Sequence, residues 1–114
     1  MKIIQAPQII TLTELATMAA RMFGNLVKAV VDLEQELMVV DAELHADQEA
    51  WLLARGSRQA DLWGINLYPQ AGVDLVEFDS MINLRPSGGN RSRGVDDPAR
   101  RAKILAIVNK LVIK

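Results

Sequence analysis

The sequence predicts an α+β domain: a mostly antiparallel sheet of four to five strands with three helices, in the order (β)-α-β-β-α-β-β-α. Three observations predict it. Segments of period-two hydrophobicity come in two adjacent pairs, each with a short polar or Pro/Gly-containing connection, which reads as two hairpins. Segments with apolar residues at helical spacing stand before, between and after those pairs. Two hairpins interleaved with helices imply an antiparallel sheet with its helices packed on one side. At 114 residues the chain is read as a single domain, 1–114, large enough to bury a core without staples.

Lys2–Gln5 reads as a short leading strand, broken at Pro7. Thr11 and Glu14 have capping-box spacing, and Ile10 and Leu15 are placed as a hydrophobic staple around it. Leu12, Leu15, Ala16, Ala19 and Met22 share one helical face, and Gly24 is positioned to close the helix in a left-handed conformation. This predicts a helix over 12–23. From Leu26 to Leu33 the period changes to two: Val27, Ala29, Val31 and Leu33 face one way, Lys28 and Asp32 the other. Glu34-Gln35-Glu36 turns the chain, and Leu37–Val40 is the partner strand. Asp47 offers an N-cap for a second helix through Ala50, Leu53 and Ala54, ended by Gly56-Ser57. Nothing in 42–46 forbids an earlier start, so 41–47 is open to strand, turn or helix.

Leu62–Tyr68, rich in aromatic and branched residues, is a strand stopped by Pro69. Val73–Arg85 reads as a longer one, with Val76, Phe78, Ile82 and Leu84 on one face and Glu77, Asp79, Asn83 and Arg85 on the other. Pro69-Gln70-Ala71-Gly72 joins the two as a hairpin. Pro86–Val95 is a loop dense in Gly, Ser, Asn and Arg. Asp97 caps the last helix, Pro98 fits its first position, and Ile104, Ile107, Val108 and Leu111 form its buried stripe.

Composition narrows the function classes. The absence of cysteine excludes disulfides and thiolate metal sites and fits a reducing compartment. No signal-peptide pattern opens the chain and no apolar run is long enough to span a membrane, so the expected location is cytoplasmic, with no membrane partner. The net charge is −1 and the few aromatics are not interleaved with basic residues, which argues against nucleic acid. Charge is nonetheless segregated: seven of the fourteen acidic residues lie between Asp32 and Glu49, and six of the thirteen basic ones between Arg85 and Lys103. Such faces can pair in a homo-oligomer or form two solvated surfaces.

Three segments could hold chemistry. In Arg85–Arg93 adjacent glycines let the backbone offer N–H groups to an anion, while Arg85, Arg91 and Arg93 can fork onto carboxylate or phosphate and Asn90 can add amide contacts. The same composition serves any long surface turn, and no phosphate-loop ending is present. In 41–47 an extended chain would align Asp41, Glu43, His45 and Asp47, but a single histidine favours a structural or acid–base role over a metal site. In the second hairpin Asn66 and Tyr68 could join Asn83 and Arg85 in a polar floor, and Gly64 inside the strand marks a close approach. The ligand-binding candidates are therefore Asn66, Tyr68, Asn83, Arg85, Asn90, Arg91 and Arg93. The catalytic candidates are His45 with Glu43. No cofactor and no metal is expected.

The segments Val27–Asp32, Glu43–Asp47, Asp61–Pro69, Ile82–Pro86 and Gly89–Ser92 together resemble domain of unknown function 5674. The Trp63-Gly64-Ile65-Asn66 and Gly89-Asn90-Arg91-Ser92 strings carry most of the likeness. It spans nearly the whole chain and implies a bacterial, cyanobacteria-rich, cytosolic protein without bringing an activity, substrate or cofactor. Two glycines usually stand in that family where this chain has Asp41-Ala42. Three function classes follow: a small ligand- or anion-binding regulatory module; a hydrolase-like enzyme with His45 as acid–base and arginines stabilising negative charge; and a protein-interaction or toxin–antitoxin-like module.

Overall fold

The capping box forms as its spacing predicts. Thr11 Oγ1 accepts the Glu14 N–H at 3.0 Å, and Glu14 Oε1 accepts the Thr11 N–H at 3.4 Å, opening helix α1 (Leu12–Arg21). In this computed structural model, which describes every residue from Met1 to Lys114, α1 stops two residues short of the 12–23 pattern. Met22 has left the helix, and the Gly24 N–H reaches back to the Ala19 carbonyl at 2.7 Å with Gly24 at φ +90. β1 (Lys2–Gln5) and the two-residue β2 (Ile10–Thr11) precede α1. After it come β3 (Val27–Asp32), β4 (Leu37–Val40), α2 (His45–Ala54), β5 (Leu62–Leu67), β6 (Val76–Glu77), α3 (Pro98–Leu111) and β7 (Val112–Ile113).

Five strands make one antiparallel sheet in the order β1-β4-β3-β5-β6. β2 and β7 form a separate parallel pair, with Ile10 beside Val112 and Thr11 beside Ile113. That pair ties the entry of α1 to the exit of α3. The class is α+β, with three helices on a mostly antiparallel sheet.

The helices do not share one side, contrary to the sequence-based expectation. Leu15, Met18 and Ala19 of α1 and Ile104, Ile107, Val108 and Leu111 of α3 pack with Val27, Ala29, Val31 and Ile65 on one face. Leu52 of α2 packs with Val30, Leu37, Val39 and Leu62 on the other. β4 is apolar on both faces and β3 adds Val30 to the second, so that face must also be covered. Asp32 points to that second face and is buried. Its carboxylate accepts the Gln35 N–H and Nε2 at 2.9 Å each and the Ser57 hydroxyl at 2.7 Å, joining the hairpin turn to the loop after α2.

α2 begins at His45, with Leu44 rather than Asp47 at the N-cap position. Its buried stripe is His45, Gln48 and Leu52, whereas Ala50, Leu53 and Ala54 are exposed. The stripe was hidden because two of its members are polar; His45 and Gln48 hydrogen-bond the Ile65 and Lys28 carbonyls. The segment before it settles as a turn. Asp41 stands at φ +68, the left-handed conformation that a glycine would adopt at no steric cost.

The long strand expected over Val73–Arg85 is not formed. Gly72–Asp74 is a 3₁₀ turn, β6 covers Val76–Glu77, and Met81–Asn83 is another 3₁₀ turn. Val76 and Phe78 pack on the α1/α3 core, Ile82 packs on the α2 core, and Leu84 is exposed. The alternation was real, but its apolar residues serve two cores because the chain crosses the sheet edge near Ser80. The short β5–β6 hairpin that remains pairs Asn66 with Glu77 and Leu67 with Val76.

Candidate functional site

The Gly- and Arg-rich loop after β6 is occupied by its own side chains. Its backbone closes on itself through paired hydrogen bonds between Arg85 and Asn90 at 2.8 and 3.0 Å. The Gly88 and Gly89 N–H groups are donated to the Arg85 and Pro86 carbonyls. Asn90 is fully buried and donates to the carbonyls of Asn83 (2.7 Å), Gly94 (2.9 Å) and Ser92 (3.1 Å), while its Oδ1 accepts the Asp96 N–H at 2.8 Å. An anion already sits in the loop: the Asp96 carboxylate accepts the Ser92 hydroxyl and, at 2.7 Å, the Arg91 N–H. Those two bonds hold its pKa below the usual carboxylate value.

Asn83 is equally committed. Its side-chain amide takes the place of a strand residue beside Gly64, accepting the Gly64 N–H at 2.8 Å and donating to the Gly64 carbonyl at 2.9 Å. The same amide and the Ser80 N–H hold the Arg93 carbonyl at 3.0 and 2.9 Å. The close approach expected at Gly64 is to protein: a Cβ there would stand 2.5 Å from the Ser80 Cβ. Arg85 donates to the Leu62 and Ile82 carbonyls, faces Glu49 at 3.6 Å and lies over the Trp63 ring. Burial lowers its pKa, and Glu49 opposes that shift. Tyr68 donates to Glu77 Oε1 at 3.0 Å, Arg91 is exposed, and Glu43 is exposed and makes no bond to His45.

The polar floor therefore does not assemble, and Asp41, Glu43, His45 and Asp47 do not line up, since the turn and helix break the period. No group of three or more His, Asp or Glu side chains lies close enough to hold a metal ion. What does converge is a different set. His45, Asn66 and Arg93 line one cavity of about 210 Å³ together with Lys28 and Asp79. Leu44 and Ala46, at the start of α2, and Ser80, Met81 and Ile82 complete its wall.

Each wall has a cause in the chain. Helix starts leave their first N–H groups without intrahelical partners. Thr11 caps α1 and Asp97 caps α3, but Leu44 gives α2 no side-chain cap. The Asp47 and Gln48 N–H groups return to the Leu44 carbonyl, so those of His45 and Ala46 are the uncommitted pair. His45 Nε2 donates to the Ile65 carbonyl at 2.7 Å, which fixes the tautomer and leaves Nδ1 as the lone-pair nitrogen. Burial brings its pKa down to about 4, partly offset by that bond, with Lys28 and Arg93 lowering it further and Asp79 raising it. The ring is neutral at pH 7. Asn66 is 5% exposed, and its Oδ1 is one of four buried side-chain atoms without a hydrogen-bond partner; it alone belongs to a residue of this cavity. Lys28, Ser80 and Asp79 were the lining residues that sequence reasoning did not assign to a site. Placing them requires knowing that α2 covers the face on which Lys28 stands.

A family model matches residues 2–111, described as a protein of unknown function (DUF5674). The chain belongs to that family. Neither the curated proteins nor the solved structures contain a match. No helix is long and apolar enough to cross a membrane.

Proposed function

We propose that this chain is a small ligand-binding regulatory module of a bacterial cytosol, and that it takes a small anion in the cavity at the start of α2. The observation that carries this reading is the uncapped α2 N-terminus opening on a cavity that Lys28 and Arg93 also line. Free N–H groups and the helix dipole favour negative charge there, and Lys28 adds to the same field, while Arg93 is paired with the Asp79 carboxylate at 2.9 Å. The volume, about 210 Å³, lies below the roughly 300–1,000 Å³ of pockets for drug-sized ligands, so the ligand is small. Of the arginines that the hydrolase-like alternative would use as anion stabilisers, Arg93 lines the cavity with His45, whereas Arg85 and Arg91 do not. A neutral His45 with a pKa near 4 is also a weak general base at pH 7.

Leu44→Asp tests the site. Leu44 is 56% exposed and has the extended backbone of an N-cap, φ −130 and ψ 130. An aspartate there supplies the missing cap and occupies the anion position. The expected result is a fold stabilised by about 1 kcal/mol that no longer responds to acetate or phosphate. An unchanged anion response, read as thermal stabilisation at constant ionic strength, removes the proposal.

A further inference from the structure

The α1/α3 side of the sheet carries a surface that the anion cavity does not use. Val73 stands on the 3₁₀ turn Gly72–Asp74 and is fully exposed, at 101% of its reference surface. A single exposed apolar side chain is ordinary, but this one divides a groove. It lines two neighbouring cavities of about 370 Å³ each, one walled by Leu12, Leu75, Val112 and Ile113, the other by Leu75, Val76, Phe78 and Leu105. Leu12, Leu75, Val76, Phe78 and Val112 are half-buried against the α1/α3 core, so the floor of the groove is the outer layer of that core. Leu105 and Ile113 remain exposed at its rim. A contiguous apolar surface of this kind marks a place of association.

We propose that this groove is the interface of a symmetric homodimer. The surface carries both halves of its own complement: Val73 is a protrusion, and the cavity walled by Leu12 and Val112 is a hollow. A two-fold axis places the Val73 of each copy in that hollow of the other. The charges agree with the same placement. Asp74 follows Val73 in the turn and Lys114 lines the hollow. Both are exposed, and neither makes an ion pair within the chain. Seating Val73 brings Asp74 of one copy to Lys114 of the partner subunit, and symmetry makes that pair twice. A foreign partner needs only a protrusion or a hollow, with one sign of charge beside it. A surface that has both, arranged so that one seats the other, fits a second copy of this chain. Both charges lie outside the acidic 32–49 and basic 85–103 segments, so this contact is distinct from a pairing of those segments.

The test is sedimentation equilibrium of the full chain from micromolar to millimolar concentration. The mass is expected to rise from that of one chain to that of two. Val73→Asp alters a side chain with no packing to lose, so the fold should stay intact by circular dichroism while the dimer disappears. Asp74→Lys and Lys114→Asp each set like charges against each other twice in the interface, and each should weaken dimerisation roughly ten-fold. The two together should restore it, because the pair is only exchanged. A chain that stays monomeric at millimolar concentration overturns the proposal and leaves the groove to a different partner. A dimer that survives Val73→Asp overturns it as well, since the contact then lies elsewhere. Charge reversals that fail to rescue each other overturn the two-fold seating of Val73 beside Lys114.

Discussion

The loop over 85–97 and the cavity beneath the start of α2 make an instructive pair. The loop has the composition of an anion site, with three arginines, two adjacent glycines, serines and an asparagine, yet the Gly88, Gly89, Asn90 and Arg91 N–H groups are spent within the loop and Asp96 fills the place of the anion. The cavity looks unpromising in sequence, since its helix starts at a leucine and its one histidine lies among acids. There the first N–H groups of the helix are free. Residue type indicates what a group can bond; only the accounting of partners tells whether it still has a bond to offer. The two regions also cooperate. Asn83 and Ser80 hold the Arg93 backbone, so the loop is the frame that delivers one cation to the rim.

The largest effect should separate frame from site. Asn90→Ala removes three donated bonds and one accepted bond inside a closed loop, and leaves buried carbonyls unpaired. We expect a loss of about 3–5 kcal/mol in urea unfolding; a change below about 1 kcal/mol would mean the loop is not the frame described. Acid comes next. The unfolded His45 has a pKa near 6.5 and the folded one about 4, so below pH 6.5 the unfolded chain binds the extra proton. This contribution is complete above pH 6.5 and is lost as the pH falls toward 4, on the order of 2–3 kcal/mol. His45→Gln should flatten that limb of the stability curve, and an unchanged slope between pH 6.5 and 4 would assign it to other groups.

A smaller change probes the point where the two regions touch. Gly64→Ala places a Cβ 2.5 Å from that of Ser80, a residue that both lines the cavity and holds the Arg93 carbonyl. The expected cost is about 2 kcal/mol, with Ser80→Gly in the same chain recovering most of it. Failure of that rescue would show that the contact is not what requires glycine. The smallest effect has the opposite sign: Asp41→Gly should stabilise the chain by up to about 1 kcal/mol, because aspartate at φ +68 is strained where glycine is not. Destabilisation there would mean the aspartate side chain compensates for its backbone.

Legibility followed locality. The Thr11–Glu14 box, the Gly24 closure, the Asp97-Pro98 start and the stripe from Ile104 to Leu111 all rest on residues within one or two turns of each other, and all are present. α2 was harder to read because His45 and Gln48 are buried polar residues whose partners, Ile65 and Lys28, lie 20 residues away in the chain. Val73–Arg85 misled because a period-two pattern specifies that side chains alternate, not that one sheet face receives them all. Of the candidate site, His45, Asn66 and Arg93 were legible as reactive types. Lys28 and Asp79 were not, because each stands in a strand-like pattern where an outward charge is ordinary.

The sequence by itself determined the class, the number of helices, the first hairpin, the caps of α1 and α3, and which polar residues were unusual. These depend on hydrogen bonds and sterics between near neighbours in the chain, so the residue string contains them. Tertiary structure alone decided that α2 covers the second face of the sheet, that Asp96 closes the arginine loop, and that His45, Asn66, Lys28, Asp79 and Arg93 share a cavity. Those outcomes depend on which distant partner reaches a donor or acceptor first, and that competition is settled only when the chain is packed.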